Sequence, residues 1–304
     1  MNVWLLVSGI FIASVLTVML FWRRFHQRLH QELSPTREPV TASSDSRSLN
    51  SQTIRFATAR GRTLEGWWFT STHEPKGHAI LTHGWGSNRT ALLPLAPVLL
   101  AAGWNVLVFD VRNHGNSDED TFSSMPRFAE DIDAALSWLH STYHPRPTAL
   151  IGHSVGAAAT LLAASRRSDI AAVVSLSSFA NPADMMKRWL AEKGMPFFPL
   201  GWYVLRYVER VIGYQFDAIA PLHTLARVRC PVLLVHGDSD CVIPPTDAHR
   251  LASKMDDAVL RLVPGGHDLT SSMAQHSDEL VAFLQASVDS MEANIKTLIP
   301  SSTL

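Results

Sequence analysis

Hydrophobic positions fall into one long run at the N-terminus and a series of shorter runs after it. No ionisable side chain occurs in residues 1–22. After residue 52, short apolar runs alternate with stretches in which apolar residues recur every three or four positions. The short runs predict buried strands, and the stretches with the longer period predict helices. Strands that alternate with helices indicate an α/β protein with a mostly parallel sheet covered on both faces.

These patterns, with the turn residues between them, predict the bounds of the elements. The predicted strands are 53–58, 64–70, 78–82, 105–109, 148–151, 171–176, 231–235 and 259–263. The predicted helices are 90–102, 128–140 and 277–288, with a further helix between the last two strands. The first two strands flank Arg60-Gly61-Arg62 and predict an antiparallel hairpin. The motifs described below all follow directly after strands, where reactive groups of parallel sheets gather.

The N-terminal run is long enough to cross a membrane. As a helix, about 20 residues span about 30 Å, the thickness of a bilayer hydrocarbon core. Trp4 and Trp22 lie near its two ends, where interfacial aromatic residues are favoured. A cleaved signal peptide and a buried core helix are the alternatives. The signal peptide fits less well, because no basic residue precedes the run and no small-residue cleavage site follows it. We therefore expect residues 1–22 to form an uncleaved transmembrane anchor.

The charges that flank the run predict its orientation. Arg23 and Arg24 follow it directly, whereas no Lys or Arg precedes it. The positive-inside rule then places the large C-terminal part in the cytoplasm, in a single-pass membrane protein. Residues 23–51, which contain many Ser, Thr, Pro and Arg residues, are predicted to be a juxtamembrane linker. A globular domain is expected at 52–288 and a C-terminal tail at 289–304.

Composition and cysteine usage exclude several classes of function. The formal net charge of −1 gives no indication of a nucleic-acid partner. Cys230 and Cys241 lack the spacing of a metal site, and we expect two free, buried thiols. His140 and His144 are spaced to share a helix face, but Pro145 follows directly, and a solvated helix end is the better interpretation. We expect no metal and no cofactor.

The motif Gly152-His153-Ser154-Val155-Gly156 gives the first indication of chemistry. A predicted buried strand precedes it, and a helix of small residues follows it. Such a turn projects a serine hydroxyl from a tight bend, and the glycines remove Cβ atoms that would collide there. The N–H of Val155, at the helix start, is a candidate oxyanion donor. The flanking elements favour Ser154 as a nucleophile over a chance match, and His153 is interpreted as a packing residue.

A serine nucleophile needs a base and a third group that orients the base. Asp238 and Asp240 both lie on the loop after the strand at 231–235, and His267 lies on the loop after the next strand. The order serine, aspartate, histidine is the one found for this triad on parallel α/β sheets. Position within the motif favours Asp240 as the acid. Asp238 is the alternative, and it is better suited to capping the turn.

These motifs together resemble those of the α/β-hydrolase superfamily, over roughly residues 52–288. They include the turn His83-Gly84-Trp85-Gly86, the loop from Asp110 to Ser117, the elbow at Ser154, and the segment His236-Gly237-Asp238-Ser239-Asp240. The resemblance is closest to the branch that contains monoacylglycerol lipases and serine aminopeptidase-like proteins. That branch catalyses too many reactions for the resemblance to name a substrate.

The resemblance implies an α/β-hydrolase fold and a role for each matching residue. Ser154 would be the nucleophile, Asp240 the acid and His267 the base. The backbone N–H groups of Trp85 and Val155 would be the oxyanion donors. In the family, the residues that correspond to Asp110, Arg112 and His114 are usually scaffold for their loop.

Residues 179–226 lie between two predicted strands and are too long for a plain crossover. The segment is rich in methionine and aromatic residues, including Phe197, Phe198 and Trp202. In this fold an insertion at that place often forms a cap, and we expect these three side chains to contact an apolar acyl group. An ordinary crossover helix packed on the sheet is the alternative.

The sequence therefore predicts a membrane-anchored serine hydrolase that cleaves carboxylic esters, or thioesters, of apolar acyl groups through an acyl-enzyme. A serine peptidase of the same fold is the alternative among enzymes. A catalytically silent binding module tethered to the membrane is the alternative from another class. It is disfavoured because such a module has no chemical need for a complete triad.

Overall fold

The computed structural model describes residues 3–40, 49, 51–275 and 277–298. Four parts of the predicted domain organisation lie outside these residues. They are residues 1–2 of the anchor, residues 41–48 and 50 of the linker, residue 276 of the globular domain, and residues 299–304 of the C-terminal tail.

An eight-stranded, mostly parallel sheet forms the centre of the molecule. Its strands are β1 (Gln52–Thr58), β2 (Arg62–Phe69), β3 (Gly77–Thr82), β4 (Trp104–Phe109), β5 (Thr148–His153), β6 (Ala172–Leu176), β7 (Val232–Gly237) and β8 (Val259–Val263). Their order across the sheet is β1-β2-β4-β3-β5-β6-β7-β8. β2 runs antiparallel to both of its neighbours, and the remaining pairs are parallel. Each strand predicted from the sequence is present, and the predicted hairpin is the β1–β2 pair.

Helices cover both faces of the sheet, and the chain has further helices outside this layer arrangement. The α-helices of the described residues are α1 (Val3–Glu32), α2 (Ala96–Ala101), α3 (Met125–Thr142), α4 (Val155–Ala164), α5 (Pro182–Glu192), α6 (Trp202–Ile212), α7 (Phe216–Ile219), α8 (Pro221–Thr224), α9 (Thr246–Ala252), α10 (Thr270–Gln275) and α11 (Ser277–Leu298). One buried apolar cluster lies between the sheet and α3 and α4, and a second lies between the sheet and α2 and α11. The strands are therefore apolar on both faces, as their continuous hydrophobic runs predict.

The helix predicted at 90–102 is present only in part. A tighter 3₁₀ turn occupies Arg89–Leu95, and α2 follows it. Asn88 caps this turn, because its side chain accepts the N–H of Thr90 over 3.0 Å. Pro94 lies inside the turn and has no N–H to donate, which explains why one continuous α-helix does not form.

The sheet order reverses at β3, and this reversal determines where a site can form. β4 pairs with one side of β3, and β5 pairs with the other. The connections that leave the ends of β3 and β5 therefore run in opposite directions, and a crevice opens between them. The turn at Gly84 follows β3, and the elbow at Ser154 follows β5, so both motifs lie at this crevice.

The helix α1 continues past the apolar run and ends at Glu32. Its segment Val7–Glu32 is long and apolar enough to cross a membrane, judged by length and composition. Residues 23–32, predicted as the start of a flexible linker, are helical instead. The spacing of Phe25 and Leu29 explains the difference, because residues four apart share a helix face. Leu29 is buried in the main apolar cluster, and Phe25 packs against it.

Candidate active site

Ser154 lies at the tip of the turn between β5 and α4, with backbone angles of φ 54° and ψ −118°. Its N–H donates to the carbonyl of Leu176, at the end of β6, over 2.8 Å. A Cβ atom at Gly156 would lie 2.3 Å from the carbonyl oxygen of Thr82, and one at Gly152 would lie 2.5 Å from that of Gly156. Contacts this short exclude any side chain, so the two glycines allow α4 to lie directly against β3 and β5.

The serine, histidine and aspartate predicted from the sequence form a chain of hydrogen bonds. Oγ of Ser154 lies 3.0 Å from Nε2 of His267, and Nδ1 of His267 lies 2.8 Å from Oδ2 of Asp240. An ionised carboxylate only accepts hydrogen bonds, so the contact with Asp240 assigns the imidazole proton to Nδ1. Nε2 is then free to accept the hydroxyl proton of Ser154, within the distance that proton transfer requires.

The carboxylate of Asp240 is buried and held by several donors. Its Oδ1 accepts the N–H groups of Val242 and Ile243, each over 2.8 Å. Nε2 of His236 lies 3.3 Å from Oδ2 and also 2.8 Å from the carbonyl oxygen of Ile243. These contacts fix the direction in which Asp240 presents its second oxygen to the imidazole.

The alternative acid, Asp238, binds a neighbouring turn instead of His267. Its Oδ1 accepts the N–H of Gly265 over 3.3 Å and the hydroxyl of Ser239 over 3.1 Å. Asp238 is exposed, whereas only 5% of the surface of Asp240 is exposed. The structure thus brings Asp240 to the imidazole and leaves Asp238 in a position that caps a turn.

The loop that carries His267 is also fixed through its backbone. The carbonyl oxygen of His267 accepts hydrogen bonds from Nε2 of His153, over 2.8 Å, and from the hydroxyl of Ser177, over 2.9 Å. His153 was expected only to pack, and the structure gives it this further contact. Burial lowers the pKa of His153, which favours the neutral ring. Ser177 has a positive φ of 52°, a backbone conformation that is uncommon outside glycine and marks a constrained position.

Two free backbone donors lie beside the serine. The N–H groups of Trp85 and Val155 have no hydrogen-bond partner within the part of the chain that the structure describes. Val155 follows Ser154 directly, and Gly84, which precedes Trp85, lies so close that a Cβ atom there would be 3.3 Å from Cβ of Ser154. Unpaired N–H groups at such positions are suited to bind an oxygen that becomes negatively charged.

Two buried histidines hold the turn after β3 as hydrogen-bond acceptors. Nε2 of His114 accepts the N–H of Gly86 over 3.1 Å, while its Nδ1 lies 2.9 Å from the carbonyl oxygen of Arg112. Nε2 of His83 accepts the N–H of Val111 over 3.2 Å. Burial lowers the pKa of His83 to about 4 and that of His114 to about 3. Both rings are therefore neutral near pH 7, as these acceptor roles require.

Asp110 and Arg112 join the loop after β4 to its surroundings. Asp110 is fully buried and accepts the backbone N–H groups of Arg89, over 2.7 Å, and Asn116, over 2.9 Å. Nε of Arg112 donates to Asp131 of α3 over 2.8 Å. These contacts connect the loop with the turn after β3 and with α3, which is a scaffold role.

A buried ion pair beneath the same turn was not predicted from the sequence. Nη2 of Arg89 lies 2.7 Å from Oε1 of Glu65, and the guanidinium stacks 4.5 Å from the ring centre of Trp67. Burial alone would raise the pKa of Glu65, but hydrogen bonds from Arg89, Asn116 and Arg55 outweigh it and lower the pKa to about 2. The available signal was a glutamate inside a predicted strand whose other positions are mostly apolar.

A cavity of about 550 Å³ opens at this edge of the sheet, and Ser154, His267 and Trp85 line it. Side chains from residues 179–226 form another part of its wall. They are Phe179, Pro182, Met185, Met186, Trp189, Val204, Val208, Ile212, Phe216 and Ile219. Leu29, Glu32 and Leu33 of the N-terminal segment also line the cavity, which the sequence did not predict.

Phe197, Phe198 and Trp202, expected to contact the acyl group, do not line this cavity. They are exposed at 47%, 77% and 49% of their surface. Val204 and Val208 share the helix face that α6 turns to the cavity, and a residue two positions before Val204 lies on a different face. This placement corrects the sequence-based expectation for the three aromatic residues.

The remaining sequence-predicted groups make no hydrogen bond to the triad side chains among the residues that the structure describes. Cys230 is buried, and burial raises the pKa of its thiol to about 12, whereas Cys241 is exposed, which corrects the expectation of two buried thiols. His144 lies beyond the end of α3, so it does not share a helix face with His140. Among the described residues, no group of three histidine, cysteine or acidic side chains is arranged to hold a metal ion.

Comparisons with known proteins agree with this geometry. The family model for serine aminopeptidases, S33, matches residues 73–211. The uncharacterized protein Rv2307c of Mycobacterium tuberculosis is 30% identical over 256 residues, which cover 83% of each chain. The chain is an α/β-hydrolase.

The hydrolase is also similar to a solved esterase structure and to a curated lipase. The esterase Pf2001 of Pyrococcus furiosus shares the fold, with a TM-score of 0.67 and 22% identity over 84% of this chain and 97% of that one. The lysophosphatidylserine lipase ABHD12 of Danio rerio is 26% identical over 191 residues, which cover 58% of this chain and 47% of the relative.

The buried histidines predict how the stability of the hydrolase depends on pH. Between pH 6.5 and about 4, unfolded His114 binds a proton that the folded ring does not, so the free energy of unfolding should fall as the pH falls. Each such group contributes up to about 1.4 kcal/mol per pH unit. Asp131, whose pKa burial raises to about 6, has the opposite sign and must be separated from this effect.

The comparison of His114→Gln with the wild-type protein isolates the histidine. Thermal unfolding from pH 7 to pH 4 should show a smaller loss of stability in His114→Gln, because glutamine does not titrate. His249→Gln replaces an exposed histidine, and its stability should decrease with falling pH as much as that of the wild-type protein does. Equal slopes for all three proteins would contradict a neutral, buried His114.

Proposed function

We propose that this α/β-hydrolase is a membrane-anchored serine hydrolase that cleaves carboxylic esters, or thioesters, of apolar acyl groups through an acyl-enzyme. The observation that carries the proposal is the hydrogen-bonded chain from Ser154 through His267 to Asp240, at the base of an apolar cavity. A silent binding module would not require all three side chains at these distances.

In the proposed reaction, Ser154 attacks the acyl carbon while Nε2 of His267 takes the hydroxyl proton. The imidazolium that forms is stabilised by Asp240, which also fixes the ring tautomer. His267 then gives the proton to the leaving alcohol or thiol, and the acyl group remains on Ser154. A water molecule, activated by the same imidazole, hydrolyses the acyl-enzyme and releases the acid.

The oxyanion of each tetrahedral intermediate would be bound by the N–H groups of Trp85 and Val155. Their lack of other partners supports this role, because a donor already engaged would have to break a bond first. The neutral acceptors His83 and His114 support it indirectly. They keep the turn that carries Trp85 in place without adding a positive charge.

An apolar acyl group is supported by the lining of the cavity. The strongest hydrogen-bonding group among five of the lining side chains is the indole N–H of Trp189, and the others offer at most a weakly accepting thioether; the five are Met185, Met186, Trp189, Val204 and Val208. A volume of about 550 Å³ is within the range of sites that bury small apolar ligands. The similarity to the esterase Pf2001 and to the lipase ABHD12 agrees with this class of substrate.

The proposal includes the placement of the protein in a membrane. Residues 1–22 would span the bilayer once, with residues 52–288 as the catalytic domain on the cytoplasmic side and 179–226 as its cap. The uncharged run, the aromatic residues near its ends and the arginines after it support this arrangement.

A serine peptidase is the second candidate, because the matching family model describes serine aminopeptidases. Two carboxylates, those of Glu32 and Asp268, lie in the cavity wall, and a free amino terminus would find a charge partner there. Ester and amide substrates therefore have to be compared directly.

The acid that orients the base is tested by a matched pair of variants. Asp240→Asn should lower kcat for an octanoyl ester by about 10⁴-fold, because asparagine favours the wrong imidazole tautomer. Asp238→Asn, which removes a nearby carboxylate that binds only a turn, should change kcat far less. Steady-state kinetics with Ser154→Ala as the inactive reference would measure both. The reverse ranking would assign the acid to Asp238.

The substrate class is tested by a series of p-nitrophenyl esters and aminoacyl p-nitroanilides. Each acyl carbon buried in the cavity gains up to about 0.8 kcal/mol, so kcat/KM should rise about fourfold per carbon until the cavity is full. We expect kcat/KM to be higher for octanoyl esters than for acetyl esters, and higher for both kinds of ester than for the anilides. Preference for acetyl esters would contradict the apolar acyl site. Faster cleavage of anilides with a free amino terminus would favour the peptidase.

A further inference from the structure

The last turns of α1 are docked on the cap. Nε2 of His26 lies 2.6 Å from the hydroxyl oxygen of Tyr203, at the start of α6. The ring of His26 is 4.7 Å from that of Tyr207, one helical turn further on, and the ring of Trp22 is 5.2 Å from that of Tyr203. A helix that only tethered the domain would not need contacts of this kind with the cap.

The end of α1 also contacts other parts of the domain. Leu29 is buried, at 8% exposure, and belongs to the main apolar cluster. The carbonyl oxygen of Leu33, just past the helix end, accepts the N–H of Ser123 over 2.7 Å. Ser123 lies directly before α3, so α1 joins the cap to the loop beside the candidate active site.

Leu29, Glu32 and Leu33 line the same cavity as Ser154 and His267. The cavity therefore extends from the reactive groups to the place where the N-terminal helix meets the cap. On the N-terminal side of Trp22 this helix has no ionisable side chain, and Arg23, Arg24 and Arg28 lie between that run and Leu29.

We propose that the end of α1 forms one wall of the acyl-binding site and determines which acyl chain lengths it accepts. This inference rests on the proposed function and adds a specificity-determining element to it. The acyl chain lies between Leu29 and Leu33 on one side and Val204 and Val208 of α6 on the other. The favoured substrates are amphiphiles whose apolar chain points along α1, in the direction of the membrane-spanning segment.

The position of the charged residue Glu32 supports this direction for the acyl chain. Leu29 and Leu33 are one helical turn apart and present an apolar surface, whereas Glu32 is exposed and lies at the cavity wall beside them. An apolar chain gains free energy against the leucines, and a polar head group retains access to water near the carboxylate.

The test fills the proposed wall in the full-length protein in detergent micelles. Leu29→Trp should shorten the accepted chain, so the ratio of kcat/KM for the dodecanoyl ester to that for the acetyl ester should fall more than about tenfold, the cost of excluding two methylenes. Leu33→Trp, at a less buried position, should lower the ratio in the same direction. Leu16→Trp adds the same side chain to an exposed position on the same helix and should leave the ratio unchanged.

A binding measurement separates this inference from the proposed reaction. The fluorescent fatty acid cis-parinaric acid should bind the cavity of the Ser154→Ala variant. Its binding is measured from its own fluorescence under direct excitation, so the added tryptophans are not the excited group. Leu29→Trp or Leu33→Trp should weaken that binding more than Leu16→Trp does. If no ester is hydrolysed but this binding pattern is observed, the proposed function is wrong, and the inference that the end of α1 forms a wall of the binding site is still supported. If both wall variants retain the wild-type chain-length ratio and probe affinity, the inference is overturned.

Discussion

The close approach of α4 to the end of β3 determines where the reactive groups of this hydrolase lie. A Cβ atom at Gly156 would sit 2.3 Å from one carbonyl oxygen of that strand end and 2.4 Å from the next. Only glycine permits the contact, and the contact forces Ser154 into its positive φ. The serine is then exposed at the reversal of the sheet order, beside Trp85 and opposite the loop of His267. Strand order and two glycines thus bring together residues from distant parts of the chain.

Buried polar groups stabilise the loops that surround this turn. Neutral His83 and His114 accept backbone N–H groups, and the carboxylate of Asp110 accepts two more. The Arg89–Glu65 pair lies beneath them, where its charges are largely shielded from water. Each group has a partner that offsets part of its desolvation, so the loops have few alternative conformations of similar energy. A pre-formed arrangement of this kind is what an oxyanion site requires, because donors that are already oriented need no reorganisation during the reaction.

The sequence predicted the strands of the sheet and singled out the three side chains that the structure joins by hydrogen bonds, because both depend on local signals. Apolar runs mark the strands, and the residues around Ser154, Asp240 and His267 occur in motifs whose spacing is set by the turns themselves. Contacts between distant segments carried no such signal. The sequence around His26 and the sequence around Tyr203 give no indication that these two side chains form a hydrogen bond with each other. Trp202 matched the composition of a lining, but the packing of α6 decided which of its faces meets the cavity.

The N-terminal helix links the candidate membrane span to the candidate active site, since it contains that span and ends in the wall of the cavity. The central claim remains that Ser154 becomes acylated. The most direct test is peptide mapping by mass spectrometry after reaction of the full-length protein with an alkyl fluorophosphonate and with a chromogenic ester under acid quench. The account predicts both adducts on the peptide that contains Ser154, with none in Ser154→Ala. Modification of another residue, or ester turnover without any adduct on Ser154, would contradict it.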